Sequence, residues 1–235
     1  MDTLLEQLIA DFHERPLPTP THREVELPAL SGKIDAVIGM RRTGKTWFLF
    51  QAMQRYLAQG IRKQAMLYLN FDDERLLPMV AAELGQISDS YYRLFPEHRD
   101  QTCYFFFDEV QNISGWEIWL RRLVDTERVQ IAVTGSSAKL LSREIATALR
   151  GRSLSTEMFP FSFREALAHE GISKLPASRP GAKKRALLEN RLRRYLLNGG
   201  FPEIQSVADN YRIRILQEYV LSLIHISEPT RQPAT

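Results

Sequence analysis

The chain has 235 residues, 44% of them hydrophobic and 25% charged, with 12 Gly and 12 Pro; these proportions exclude a disordered chain, a collagen-like repeat and a small disulfide scaffold. Lys and Arg number 31 against 28 Asp and Glu, a formal charge of +3 that is too mild to require a nucleic-acid partner by itself. Cys103 is the one cysteine, so there is no intrachain disulfide and no cysteine-based zinc site.

Residues 3–13 repeat Leu4, Leu5, Leu8, Ile9 and Phe12 at helical spacing. Pro16, Pro18 and Pro20 then force an extended connector. Residues 23–27 alternate as a short strand does, and residues 33–38 form a second apolar strand pattern ended by Gly39. A helix is predicted over 46–57, a buried strand over 65–71, and a helix over 78–94 weakened by Gly85. A dense aromatic strand follows at 103–107, a helix at 116–123 with Trp116, Trp119, Leu120 and Leu123 on one side, and a strand at 129–133. A helix over 138–149 and a strand over 154–158 complete the pattern. Strands alternating with helices at this spacing need crossover connections, so the predicted fold class is α/β, a parallel sheet sandwiched by helices. Residues 171–182 read as a Ser-, Pro- and Gly-containing linker. A basic amphipathic helix follows at 183–197, then the break Gly199-Gly200-Phe201-Pro202 and a further helix over 209–220.

Gly39-Met40-Arg41-Arg42-Thr43-Gly44-Lys45-Thr46 fits G-x-x-x-x-G-K-[ST]. The glycines let the backbone wrap so that successive N–H groups face phosphate oxygens. Lys45 would sit on the β- and γ-phosphates, the Thr46 hydroxyl would ligate Mg²⁺, and the helix N-terminus beginning near Trp47 adds a positive end. The apolar strand CYFFF ends in Asp108-Glu109. A carboxylate pair at such a strand tip suits a nucleotide-bound metal: Asp108 to hold Mg²⁺, Glu109 to orient and deprotonate an attacking water.

Three features keep two readings each. Ser136 and Ser137, after the strand VQIAVT, either sense the γ-phosphate or cap a helix. Arg150 and Arg152 either favour a helix C-terminus or reach a neighbouring subunit's nucleotide. The basic helix, with Lys183, Lys184, Arg185, Arg191, Arg193 and Arg194, is either a solvated face or a nucleic-acid contact.

Together, GMRRTGKT, YLNFDDERL, FFFDEVQNISGWE and VTGSSAKLLSREIATALRGRSLSTEMFPFSF resemble the AAA-type ATPases of bacteria and archaea whose core precedes a C-terminal domain of unknown function, over residues 34–163. NGGFPEI resembles a segment just after that core. The resemblance implies that residues 39–46 are the Walker A loop, Asp108 and Glu109 the Walker B pair, Ser136-Ser137 the sensor position and Arg152 the finger, with Gln111 and Asn112 extending the acidic motif. It further implies ATP and Mg²⁺ as ligands, a homo-oligomer completed by a trans arginine, and a protein or nucleic-acid client. The preference for ATP over GTP rests on this resemblance.

Leu221 to Arg231, LSLIHISEPTR, resembles the in-frame translation of a transposase-type sequencing adapter. The expected organisation is an N-terminal helix and connector (1–22), a P-loop core (23–170), a linker (171–182), a small truncated helical domain (183–220) and an adapter-derived tail (221–235). No run approaches the roughly 20 apolar residues of a spanning helix, and the acidic start MDTLLEQLIADFHERP is unlike a signal peptide, so a cytoplasmic protein with no membrane partner is expected. The expected function is ATP binding and hydrolysis coupled to domain or partner movement. The alternative is a nucleotide-binding switch with negligible hydrolysis, possibly nucleic-acid associated.

Overall fold

The computed structural model describes residues 2–136, 149, 151–172 and 181–227. Five strands form one sheet: β1 (Ile34–Gly39), β2 (Met66–Asn70), β3 (Cys103–Asp108), β4 (Val129–Ser136) and β5 (Ser153–Glu157). Their order is β2-β3-β4-β1-β5 and every pairing is parallel. β1 is buried along its whole length, as a strand covered on both faces must be. This is the predicted α/β architecture.

Period-two alternation splits the strand side chains between two cores. Leu67 and Leu69, Phe105 and Phe107, Ile131 and Val133 face one cluster, filled by Leu5 and Ile9 of α1 (Asp2–Glu14), Tyr91 of α3 (Gly85–Leu94) and Trp119 of α4 (Trp116–Thr126). Met66, Phe106 and Ala132 face the other, with Phe48, Leu49 and Met53 of α2 (Lys45–Ala58). This parity positions the site: Tyr68, Asp108 and Thr134 fall on the α2 face.

The chain divides into two compact units, residues 1–158 and 159–235. That differs from the expected 23–170 core at both ends. α1 is part of the first unit, because Leu5 and Ile9 are fully buried in its main cluster. Phe159 onward belongs to the second, where Phe161 N–H donates to Gly200 O (2.6 Å) and its carbonyl accepts from the Tyr195 hydroxyl (2.7 Å). The second unit holds α5 (Phe163–His169), α6 (Ala182–Asn198) and α7 (Asp209–Ser227). α5 has no counterpart among the predicted elements. α7 continues through Ser227, into the adapter-like segment.

Two further predictions are corrected. Residues 23–27 form no strand; the Arg23 N–H and C=O are both taken by the Gln51 side chain rather than by a ladder. The helix predicted from 78 starts at Gly85, since residues 81–83 form a separate 3-10 turn in which Glu83 accepts from Val80 N–H (3.0 Å). The predicted helix over 138–149 and most of the 171–182 linker lie outside the described residues. Among the described residues no helix is long and apolar enough to cross a membrane.

Candidate functional site

β1 ends in Gly39 and the chain turns through residues 40–44 into α2. The turn needs left-handed backbone at Arg42 (φ 65°) and Gly44 (φ 93°), where glycine costs least. Gly39 is fixed by space as well: a Cβ there would lie 2.3 Å from Met158 O. The Thr43 hydroxyl donates to Met40 O (2.9 Å) and closes the loop from within. Arg41, Arg42 and Trp47 are exposed, and Trp47 meets Phe50 edge-on at 6.2 Å.

Lys45 is 4% exposed. Its ammonium donates to Gly39 O and Met40 O, 3.1 Å each, and stands 4.0 Å from Glu109 Oε1. Burial pulls its pKa below the ordinary lysine value, while Glu109 and Asp108 pull it back up. The charge is therefore held over the loop by carbonyl dipoles and two carboxylates.

Asp108, 1% exposed, closes β3 and accepts from two hydroxyls. Thr134 Oγ1 donates to Oδ1 and Tyr68 donates to Oδ2 (3.3 Å), while the Thr46 hydroxyl acts on its titration. Burial raises the carboxyl above the usual range, the Thr134, Thr46 and Tyr68 hydroxyls oppose this, and Glu109 adds to it. Glu109 has left-handed backbone (φ 53°), which turns its side chain off the strand line. Its N–H donates to Thr134 Oγ1 (2.9 Å) and its carboxylate accepts from Gln111 Nε2 and pairs with Lys45. Asn112 instead ties the turn to the end of β2, through Phe71 O (3.3 Å) and Asp72 Oδ1 (3.1 Å).

Lys45, Thr46, Asp108 and Glu109 thus meet at the C-terminal edge of the sheet, where open parallel sheets place their ligands. Ser136 aligns with Gly39 on β1, which puts its backbone beside the loop; Ser137 and Arg150 lie outside the described residues. Arg152 is not brought to the loop. It precedes β5 at the opposite edge of the sheet, about 17–20 Å away by strand length, and forms a two-bond fork with Asp125 of α4 (3.0 Å each). Tyr68, Thr134 and Arg23, whose guanidinium donates to Thr43 O (2.8 Å), are site neighbours that sequence reading missed. Each reaches the site across strands or from the connector, so no local spacing announces it.

Residues 31–167 match the family model described as an AAA domain. An uncharacterized protein of Methanocaldococcus jannaschii is 38% identical over 200 residues, covering 85% of this chain and 42% of the relative. One of Haemophilus influenzae is 29% identical over 196 residues, covering 81% and 45%. The chain therefore spans less than half the length of these relatives. Among solved structures, the Saccharomyces cerevisiae Hsp104:casein complex aligns with a TM-score of 0.45 at 16% identity, over 94% of this chain and 37% of that one. Caenorhabditis elegans PCH-2 aligns at 0.43 and 12%, over 95% and 67%. The chain belongs to the AAA domain family, and residues 31–167 are a nucleotide-binding AAA module.

Proposed function

We propose that this protein binds and hydrolyses ATP and couples nucleotide state to movement of a domain or partner. The observation that carries the proposal is the convergence of Lys45, Thr46, Asp108 and Glu109 at the edge where the loop of residues 39–46 opens. Loop amides and the Lys45 ammonium neutralise the triphosphate as it enters. Lys45 then exchanges its carbonyl partners for phosphate oxygens, which bear full charge and make the stronger bonds.

The donors beside the loop fit Mg²⁺: Thr46 and Asp108 offer hard oxygen atoms, near enough for the Thr46 hydroxyl to oppose the rise of the Asp108 pKa. Those two residues would hold the ion, which when bound supplies charge neutralisation on the phosphates. Glu109 orients a water and accepts its proton as the water attacks the terminal phosphorus; the bond from that phosphorus to the bridging oxygen breaks, and ADP leaves with the oxygen's electron pair. Gln111 and Lys45 must yield Glu109 for that step.

Arg152 serves as a finger to a second copy after leaving Asp125, and Ser136 senses the terminal phosphate. The client is a protein or a nucleic acid. The Glu109–Gln111 bond favours one second reading, a nucleotide-binding switch with negligible turnover.

ATP turnover by the wild type, Lys45→Ala and Glu109→Gln separates the readings. Hydrolysis predicts that Lys45→Ala loses binding and that Glu109→Gln keeps it while slowing on the order of 10²–10⁴-fold. Equal rates in all three defeat it, and tight binding with a silent wild type selects the switch.

A further inference from the structure

We infer that Arg23 and Gln51 form a positioning pair that holds the phosphate loop in its binding shape; this rests on the loop being the nucleotide site. Arg23 lies in the irregular connector between α1 and β1, twenty residues before Thr43 of the loop, yet it is only 5% exposed. Its Nη1 donates to Thr43 O at 2.8 Å. Its own backbone is gripped from the other side: its N–H donates to Gln51 Oε1 (2.6 Å) and its carbonyl accepts from Gln51 Nε2 (3.0 Å). Gln51 stands on α2, the helix that opens with Lys45. Loop, connector and helix are thereby closed into one ring of hydrogen bonds.

The consequence follows from peptide planarity. In a trans peptide the C=O and the next N–H point in opposite directions, and the chain has no cis peptide bonds among the described residues. Fixing Thr43 O toward Arg23 therefore fixes the Gly44 N–H away from it. Gly44 is the flexible glycine before Lys45, with left-handed backbone, so its peptide is the one most able to flip. Arg23 keeps that amide turned to the phosphate side. A guanidinium suits the task because its charge strengthens the bond to a carbonyl and its planar fork is rigid.

The anchor is not isolated. Gln51, Gln54 and Arg55, on one face of α2 by their spacing, each hold the connector. Gln54 Nε2 donates to Pro18 O (2.6 Å) and Arg55 pairs with Glu26 (3.2 Å). Lys63 donates to Phe12 O (2.6 Å) and His13 O (3.2 Å), pinning the end of α1. The connector is laced to the loop's own helix, and Arg23 is the residue that carries the lacing to the loop.

The test measures equilibrium ATP affinity, steady-state KM and kcat, and melting temperature for the wild type, Arg23→Ala, Arg23→Lys and Gln51→Leu. Loss of one buried charged hydrogen bond predicts that Arg23→Ala binds ATP about ten- to a hundredfold more weakly. KM should rise with kcat near the wild-type value, because Arg23 touches no reacting group. Arg23→Lys should recover part of the affinity, and Gln51→Leu, which takes both Gln51 bonds from the Arg23 backbone, should fold with a somewhat lower melting temperature and shift KM in the same direction. A folded Arg23→Ala protein with wild-type affinity overturns the inference. If Arg23→Ala fails to fold, Gln51→Leu decides: weaker ATP binding supports the pair and unchanged affinity overturns it. A wild type that binds no ATP overturns the nucleotide reading itself.

Discussion

Asp108 accepts from hydroxyls on β2 and β4, the strands on its two flanks. Such outer partners set the orientation of a metal-holding carboxylate. Thr134 does more than Tyr68, since it also takes the Glu109 N–H. Thr134→Val keeps the shape, removes both bonds, and is expected to weaken Mg²⁺-dependent turnover on the order of ten- to a hundredfold. A Mg²⁺ titration of turnover at saturating ATP checks this; an unchanged Mg²⁺ midpoint and rate contradict it. Lys45, Thr46, Asp108 and Glu109 were legible in the sequence because loop and acidic pair are local patterns with fixed spacing. Thr134, Tyr68 and Arg23 were not, because they arrive by strand register or through the connector. Ser136 is marked by its place at the tip of β4; Thr134, two residues earlier on the same strand, donates its hydroxyl to Asp108 and has no local signal of its own.

At the scale of elements, β1 carries both the loop and an internal charge. Asp35 is 5% exposed, and burial raises its pKa to about 6, against the Ala29 N–H bond and Arg55 that lower it. The folded state holds this proton more tightly than the unfolded chain, whose value is 3.8. Its contribution to stability therefore grows as pH falls from above 6 toward 4, and is lost as pH rises through 6. The buried charge costs about 3 kcal/mol at pH 8. Asp35→Asn is expected to raise the melting temperature at pH 8 and to flatten this part of the pH profile; a variant melting lower at pH 8 with an unchanged slope contradicts it. Gly39→Ala should fail in the other direction, because its Cβ meets the Met158 carbonyl of the edge strand's end, which cannot retreat cheaply. A marked loss of melting temperature is expected, and a wild-type value contradicts it.

The strands of the first unit were readable because dense apolar runs leave no other choice, above all Cys103–Asp108. Residues 23–27 alternate equally well, but the Gln51 side chain of α2 takes both backbone groups of Arg23, where a ladder would start. α5 was overlooked although Ser162 and Glu165 form a capping box, a signal that S-x-x-E in the sequence does carry. Its seven residues are too few for periodicity to show.

Over the whole molecule, charge is unevenly divided. Residues 159–235 hold 12 basic and 7 acidic side chains, and residues 1–158 hold 19 and 21. The mild net charge therefore hides a basic second unit, much of it on α6. Arg152 lies at the far edge of the sheet from its own loop and pairs with Asp125. Its proposed role requires a second copy. Turnover per chain is then expected to rise with protein concentration in the wild type and to stay flat in Arg152→Ala; a concentration-independent wild type contradicts the trans finger. The two-unit division was only partly legible, because the change in composition after residue 170 is clearer than the packing change at Phe159.

Calorimetric titration of ATP with Mg²⁺ into the wild type and Lys45→Ala tests the phosphate site most directly. Saturable binding at one site, weakened about a hundredfold or more by the substitution, is the predicted result. Equal affinity in the two folded proteins would contradict it, since the ammonium between Gly39, Met40 and Glu109 would then have no part in holding the triphosphate.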